Sequence, residues 1–133
     1  MLKVGIIGSR RFPSPELVIG FVKAISNYDI MIISGACPNS PDQWAVDAAK
    51  TLSIPYKEYP ADWNGMGKAA GFARNTTIAQ ESDVVIAFHY NGSKGTLDTI
   101  IKAIKLRKPA VTITVLEGLQ EAYELIQGLA KPK

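Results

Sequence analysis

Residues 91–99 read NGSKGTLDT, straight after the apolar run DVVIAF and the pair His89-Tyr90. Gly92 and Gly95 free the backbone to turn successive N–H groups inward. Ser93 and Thr96 add hydroxyls, and Lys94 adds charge. A helix expected from about residue 96 would point its positive end at the same spot. That combination suits a phosphate or another anion. It also suits a tight strand–helix turn with Thr96 as N-cap, and the two roles are compatible. The Walker A spacing GxxxxGK[ST] is absent, which argues against nucleoside triphosphate hydrolysis.

Three other stretches carry similar chemistry. GSRRF (8–12) joins a turn-forming Gly8 to the Ser9 hydroxyl, the planar forks of Arg10 and Arg11, and the Phe12 ring. Only Gly5 and Gly8 are present there, so the GxGxxG dinucleotide fingerprint is not met. In SGACPNSPD (34–42), the small Ser34-Gly35-Ala36 run lets the backbone approach a ligand. Asp42 is either a helix cap or dipole partner, which its spacing favours, or a working carboxylate. PADWNGMGKAAGFARN (60–75) offers Trp63, which must pack on the core or on a flat ligand. Gly71 costs about 1 kcal/mol inside a helical pattern, so something approaches it closely. Arg74, one turn on, and Asn75 can hold an anion and a sugar hydroxyl, although an isolated arginine is more often surface. Cys37 and His89 have no partner close in sequence and are expected to be chemically inert.

The elements that position these loops follow from hydropathy. LKVGII (2–7), IMII (30–33), VVIAF (84–88) and AVTITV (110–115) are continuous apolar runs, typical of strands buried on both faces. PYKEY (55–59) is a weaker strand. Helical spacing links Val18, Phe21, Val22 and Ile25, then Ala45, Ala48, Ala49 and Leu52, then Leu97, Ile100, Ile101 and Ile104, then Leu119, Ala122, Tyr123 and Ile126. A further helix is expected over about 67–80. Strict alternation predicts an α/β, Rossmann-like three-layer sandwich: a mainly parallel five-stranded sheet, order 3-2-1-4-5, with helices on both faces. The four glycine-bearing loops then share the carboxyl edge, and the crevice opens between the strands ending at Gly8 and Phe88. The loops at the other edge, NYD, QESD and RKP, contain no glycine.

The 133 residues predict one domain, 1–133, with residues 130–133 as a frayed tail. A single cysteine excludes an internal disulfide and a cysteine metal cluster, and fits a reducing cytoplasm. No signal-peptide pattern and no membrane-length apolar run is visible. A net charge of +3 is too modest to single out nucleic acid. No metal and no cofactor is expected.

Taken in order, GSRRF, SGAC…D, ADW…GK.AG..RN and G.S.GT resemble the SLOG superfamily, which joins the DNA-processing Smf/DprA proteins and the LOG cytokinin-activating enzymes. The resemblance covers about residues 3–115 and is greatest to small stand-alone members of uncharacterised function. It implies a nucleotide-binding Rossmann-like fold, and a helix-mediated homo-oligomer is common among such relatives. LOG enzymes hydrolyse the N-glycosidic bond of nucleoside monophosphates and carry PGGxGTxxE after an arginine-bearing helix. Gly92, Gly95, Thr96 and Arg74 match that pattern. Asn91 and Ser93 depart from it, and Thr99 stands at the catalytic glutamate position. Asp98, one residue earlier, is rotated by about 100° on a helix.

The reading is a domain that binds a mononucleotide, ADP-ribose or related ligand, with phosphate on Gly92–Thr96, Gly8–Arg11 and Arg74 nearby, and Trp63 or Phe12 stacked on the base. The first alternative is a LOG-like phosphoribohydrolase, with Asp42, Asp62 or Asp98 as carboxylate and Arg74 assisting. The second is single-stranded nucleic-acid binding.

Overall fold

Each apolar run read as a strand forms one. In the computed structural model, which describes residues 1–133 apart from the side chain of Lys68, β1 (Leu2–Gly8), β2 (Ile30–Ser34), β3 (Tyr56–Glu58), β4 (Val84–Phe88) and β5 (Ala110–Ile113) build one parallel sheet. Its order is 3-2-1-4-5, as the alternation predicts. All five residues of β4 are buried, which explains the unbroken β-branched and apolar composition of VVIAF. Gly8 pairs with Phe88 where the winding reverses.

The helices are α1 (Pro15–Ala24), α2 (Pro41–Thr51), α3 (Trp63–Met66), α4 (Ala70–Glu81), α5 (Lys94–Lys105) and α6 (Leu119–Leu129), with a 3₁₀ turn at Gly67–Ala69 between α3 and α4. Their starts are local chemistry. Ser14 and Ser40 accept from the backbone N–H of Leu17 and Asp42 at 3.2 Å each, and Pro15 and Pro41 follow as first helical residues. α1, α2 and α6 cover one face over a core that includes Val4, Ile6, Phe21, Ile32, Ile86 and Ile126. α4 and α5 cover the other over Ile7, Ile33, Ile78, Val85, Ala87 and Ala103. Among the described residues no helix is long and apolar enough to cross a membrane.

Three expectations change. Of the apolar repeat Leu97, Ile100, Ile101 and Ile104, only Ile100 packs against the core: the other three are 43%, 49% and 61% exposed, whereas Thr96, Thr99 and Ala103 are buried. The helix turns its small and hydroxyl-bearing side inward, where α4 packs closely and the two threonines wall the cleft. The helix also begins earlier than expected, at Lys94, with Ser93 rather than Thr96 as N-cap. Finally, the C-terminal residues expected to fray are tied down. Asp29 N donates to Lys131 O and Lys133 N donates to Asn27 O, each at 2.8 Å, and Tyr28 bridges Pro132 antiparallel.

Candidate functional site

A cleft of about 540 Å³ opens at the carboxyl edge of β1 and β4, within the range typical of small-molecule sites. All four glycine-bearing loops reach it. Gly8, Ser9, Arg10 and Arg11 come from β1, Cys37 and Asp42 from the β2–α2 connection, and Trp63, Gly71, Arg74 and Asn75 from α3 and α4. Ser93, Gly95, Thr96 and Thr99 come from the start of α5.

Gly8 has little alternative: a Cβ there would lie 2.6 Å from Phe88 O and 2.7 Å from Pro41 Cβ. That close approach brings the first turn of α2 against the sheet edge. Ser9 is buried, and its Oγ accepts from Tyr90 N at 2.9 Å, so the β1 and β4 loops are stitched together at the switch point. Arg10 Nε donates to Cys37 Sγ at 3.3 Å, joining two walls.

At the start of α5, Asn91 and Gly92 both have positive φ, 57° and 68°, which turns the chain sharply into the helix. Ser93 Oγ accepts from Thr96 Oγ1 at 3.1 Å and, weakly, from Thr96 N at 3.5 Å. The amides of Lys94 and Gly95 are left as free donors of the first turn. This is the positive end of a twelve-residue helix, open to the cleft.

Arg74 is held by two bonds. Nη1 donates to Gly35 O and Nε donates to Asn75 Oδ1 at 3.1 Å. Nη2 is left unengaged, a donor pair on a cleft-lining side chain. Asn75 continues the network, its Nδ2 reaching Gly95 O at 3.3 Å and Asp98 Oδ2 at 3.1 Å. Asp42 is 4% exposed. Burial pushes its carboxyl up to about 6, against the opposing pull of Arg74 and of the backbone amides of Cys37, Asp42 and Gly8. Perturbed carboxyls of this kind cluster at functional sites.

The structure sorts the remaining candidates. Asp42 is not the cap of α2; Ser40 is, and Asp42 sits in the first turn inside the cleft. Phe12 lies in the core, 2% exposed, edge-on to Phe88 at 5.4 Å, and its ring is not free to stack on a ligand. Ser34 is fully buried, its hydroxyl donating to Asp42 O at 3.0 Å and accepting from Ala36 N at 3.1 Å. Gly35 and Ala36 shape this turn rather than line the cleft: Ala36 has φ 58°, and Gly35 makes room for Arg74 and Asp42. Gly92 and Lys94 stand outside the lining, on the exposed shoulder of the turn. Asp98 is turned away and paired with Lys102 at 2.9 Å, and Asp62 caps α3 by accepting from Gly65 N at 3.0 Å. Thr99 takes the cleft-facing position, its Oγ1 donating to Gly95 O at 3.1 Å.

Tyr90 and Phe72 were not anticipated. Both line the cleft and are 41% and 58% exposed. With Trp63, 54% exposed, they make an aromatic rim. The one sequence signal was their position beside the marked residues Gly71 and Asn91. His89 Nε2 is buried without a partner, but the residue is outside the lining. No group of three or more histidine, cysteine or carboxylate side chains suited to a metal occurs among the described residues.

No family model matches the chain, and no curated protein sequence does. Solved structures do resemble it. The molybdenum cofactor binding protein of the phototrophic bacterium Rippkaea orientalis superposes with a TM-score of 0.76 at 19% identity, covering 96% of each chain. DNA processing protein A (DprA) of Streptococcus pneumoniae gives 0.71 at 22%, covering 98% of this chain and 58% of that one. DprA of Helicobacter pylori, whose structure gives insight into its unique single-stranded DNA binding mode, gives 0.66 at 23%, covering 98% of this chain and 74% of that one. At these identities the likeness is one of fold, a Rossmann-like α/β sheet.

Proposed function

We propose that this chain is a SLOG-type domain that binds a nucleotide or nucleotide-derived ligand of the mononucleotide or ADP-ribose type. The phosphate sits at the first turn of α5, and the ring lies at the aromatic rim. One observation carries the reading: Ser93, Gly95 and Thr96 at the N-terminal turn of α5 and Arg74, whose Nη2 makes no hydrogen bond, line the same cleft. Ser9, Arg10 and Arg11 complete the polar wall, and Trp63, Phe72 and Tyr90 offer flat apolar surface. Neighbours of this fold that bind a cofactor or single-stranded DNA are consistent with a ligand at this edge.

A LOG-like phosphoribohydrolase is the second reading. Of its three possible carboxylates only Asp42 lines the cleft, and with its carboxyl near 6 it can carry the attacking water's proton to the departing base. Single-stranded nucleic acid is the third, favoured by the aromatic rim beside Arg10 and Arg11. The oligomer implied by the resemblance has its support in the outward stripe of Leu97, Ile101 and Ile104.

Thermal shift against AMP, ADP-ribose and a short single strand, followed by chromatography for free base, separates these readings. A saturating nucleotide should raise Tm by about 3–6 °C, and Arg74→Ala should abolish the shift. Free base would make the chain a hydrolase. A shift confined to the single strand at low salt would move the case to nucleic acid.

A further inference from the structure

Asp42 and Arg74 oppose each other at the floor of the cleft without pairing. Asp42 Oδ2 and Arg74 Nη1 each lie 2.6 Å from the point a Cβ on Gly35 would occupy, so the two charges meet over bare backbone. The side-chain hydrogen bonds of Arg74 go to Gly35 O and Asn75, and those at Asp42 run through its backbone. A carboxylate in this position has lost most of its water and has backbone amides and a nearby cation to steady it, but no ion pair with that cation. An anion arriving at the free edge of Arg74 adds a like charge beside Asp42 and engages the cation that had steadied it. Both effects disfavour the carboxylate form.

We propose that docking of an anion on Arg74 draws a proton onto Asp42, so that the cleft takes up its ligand and a proton together. The proposal rests on the anion-binding reading above and names how that site is regulated. The coupling is reciprocal: protonating Asp42 strengthens anion binding by the same factor that the anion strengthens proton binding. The starting point is within physiological reach, because burial already places this carboxyl near 6.

Few other charges bear on Asp42. Arg10, Arg11, Cys37 and Tyr90 line the walls of the same cleft. On α1 and α2, packed beside it, Glu16, Lys23, Asp47 and Lys50 are exposed to solvent. On α5, Lys94 is exposed, and Asp98 and Lys102 are paired with each other. His89, the single histidine, is not among the lining residues.

Calorimetric titration with ADP-ribose tests the coupling, because its diphosphate keeps a constant charge over about pH 5–8. Runs in two buffers of different ionisation enthalpy count the protons. A one-unit rise in the carboxyl on docking predicts uptake of about half a proton per ligand at about pH 6.5, and binding about fivefold tighter at pH 6 than at pH 8. In Asp42→Asn, which keeps the shape and removes the buried charge, uptake should vanish and affinity should no longer vary with pH. Wild-type binding without proton uptake overturns the coupling and leaves the anion site standing. So does uptake that persists in a folded Asp42→Asn. Failure of ADP-ribose to bind at any pH overturns both readings. The wild-type proton count does not depend on the variant folding.

Discussion

Asn75 Nδ2 donates to Asp98 Oδ2 at 3.1 Å, and this bond, with the Lys102 pair at 2.9 Å, removes Asp98 from the cleft. The carboxylate next to the position where the LOG pattern carries its glutamate is therefore a brace between α4 and α5. We predict that Asp98→Ala costs about 1 kcal/mol, the sum of one hydrogen bond and a partly exposed i,i+4 pair. Urea denaturation would read this as a lower midpoint with unchanged slope. Ligand affinity should change less than about threefold; a loss of tenfold or more would return Asp98 to the site.

Asp42→Asn should stabilise the protein at neutral pH. Its carboxyl lies at about 6 in the folded chain and 3.8 in the reference state, so the folded form holds this proton to higher pH. The associated stability is full below about pH 4 and lost as pH rises through about 6. Above that window the variant should gain on the order of 2–3 kcal/mol, and the difference should close as pH falls. Equal stability of the two proteins at pH 8 would show that the buried charge is better solvated than its surroundings suggest.

The Trp63 ring edge covers Gly71, where a Cβ would come within 3.1 Å of Cη2. Trp63 is half exposed and free to shift by a few tenths of an ångström. Gly71→Ala should therefore stabilise α4 by up to about 1 kcal/mol while moving the ring. In a Trp44→Phe background the variant's emission should differ from the parent's, and ADP-ribose should quench the parent. An unchanged spectrum on saturation with ligand would remove Trp63 from the binding surface.

Deleting residues 130–133 removes three backbone hydrogen bonds: the two that form the antiparallel bridge of Tyr28 and Pro132, and that of Ala130 N to Ile126 O. We predict a loss of about 1–2 kcal/mol and a Tm lower by several degrees. A truncated chain with unaltered Tm would mean that the tail contributes nothing in solution.

Much of the frame was legible along the chain. Apolar runs without alternation specify strands buried on both faces, and LKVGII, IMII and VVIAF become the three central strands. The caps of α1 and α2 were not read from the sequence, although Ser14 and Ser40 set those starts through bonds that span only two or three residues. The gathering of glycine-rich loops at one sheet edge follows from strict β–α alternation, and residues of all four loops line the cleft there.

What lay beyond the sequence was decided between segments far apart. Whether Phe12 faces ligand or core depends on Phe88, 76 residues away, which meets it edge-on. The rotation of α5 differs from what its apolar repeat predicts, because packing against α4 and the sheet turns Thr96, Thr99 and Ala103 inward and leaves only Ile100 of the repeat against the core. Asp42 reads locally as a cap, and only the approach of Gly8 to Pro41 buries it at the cleft floor. Local patterns specify which backbone forms because those bonds close within a few residues. Which side chain faces the cleft, and at what cost in desolvation, is settled by neighbours the chain brings together only on folding.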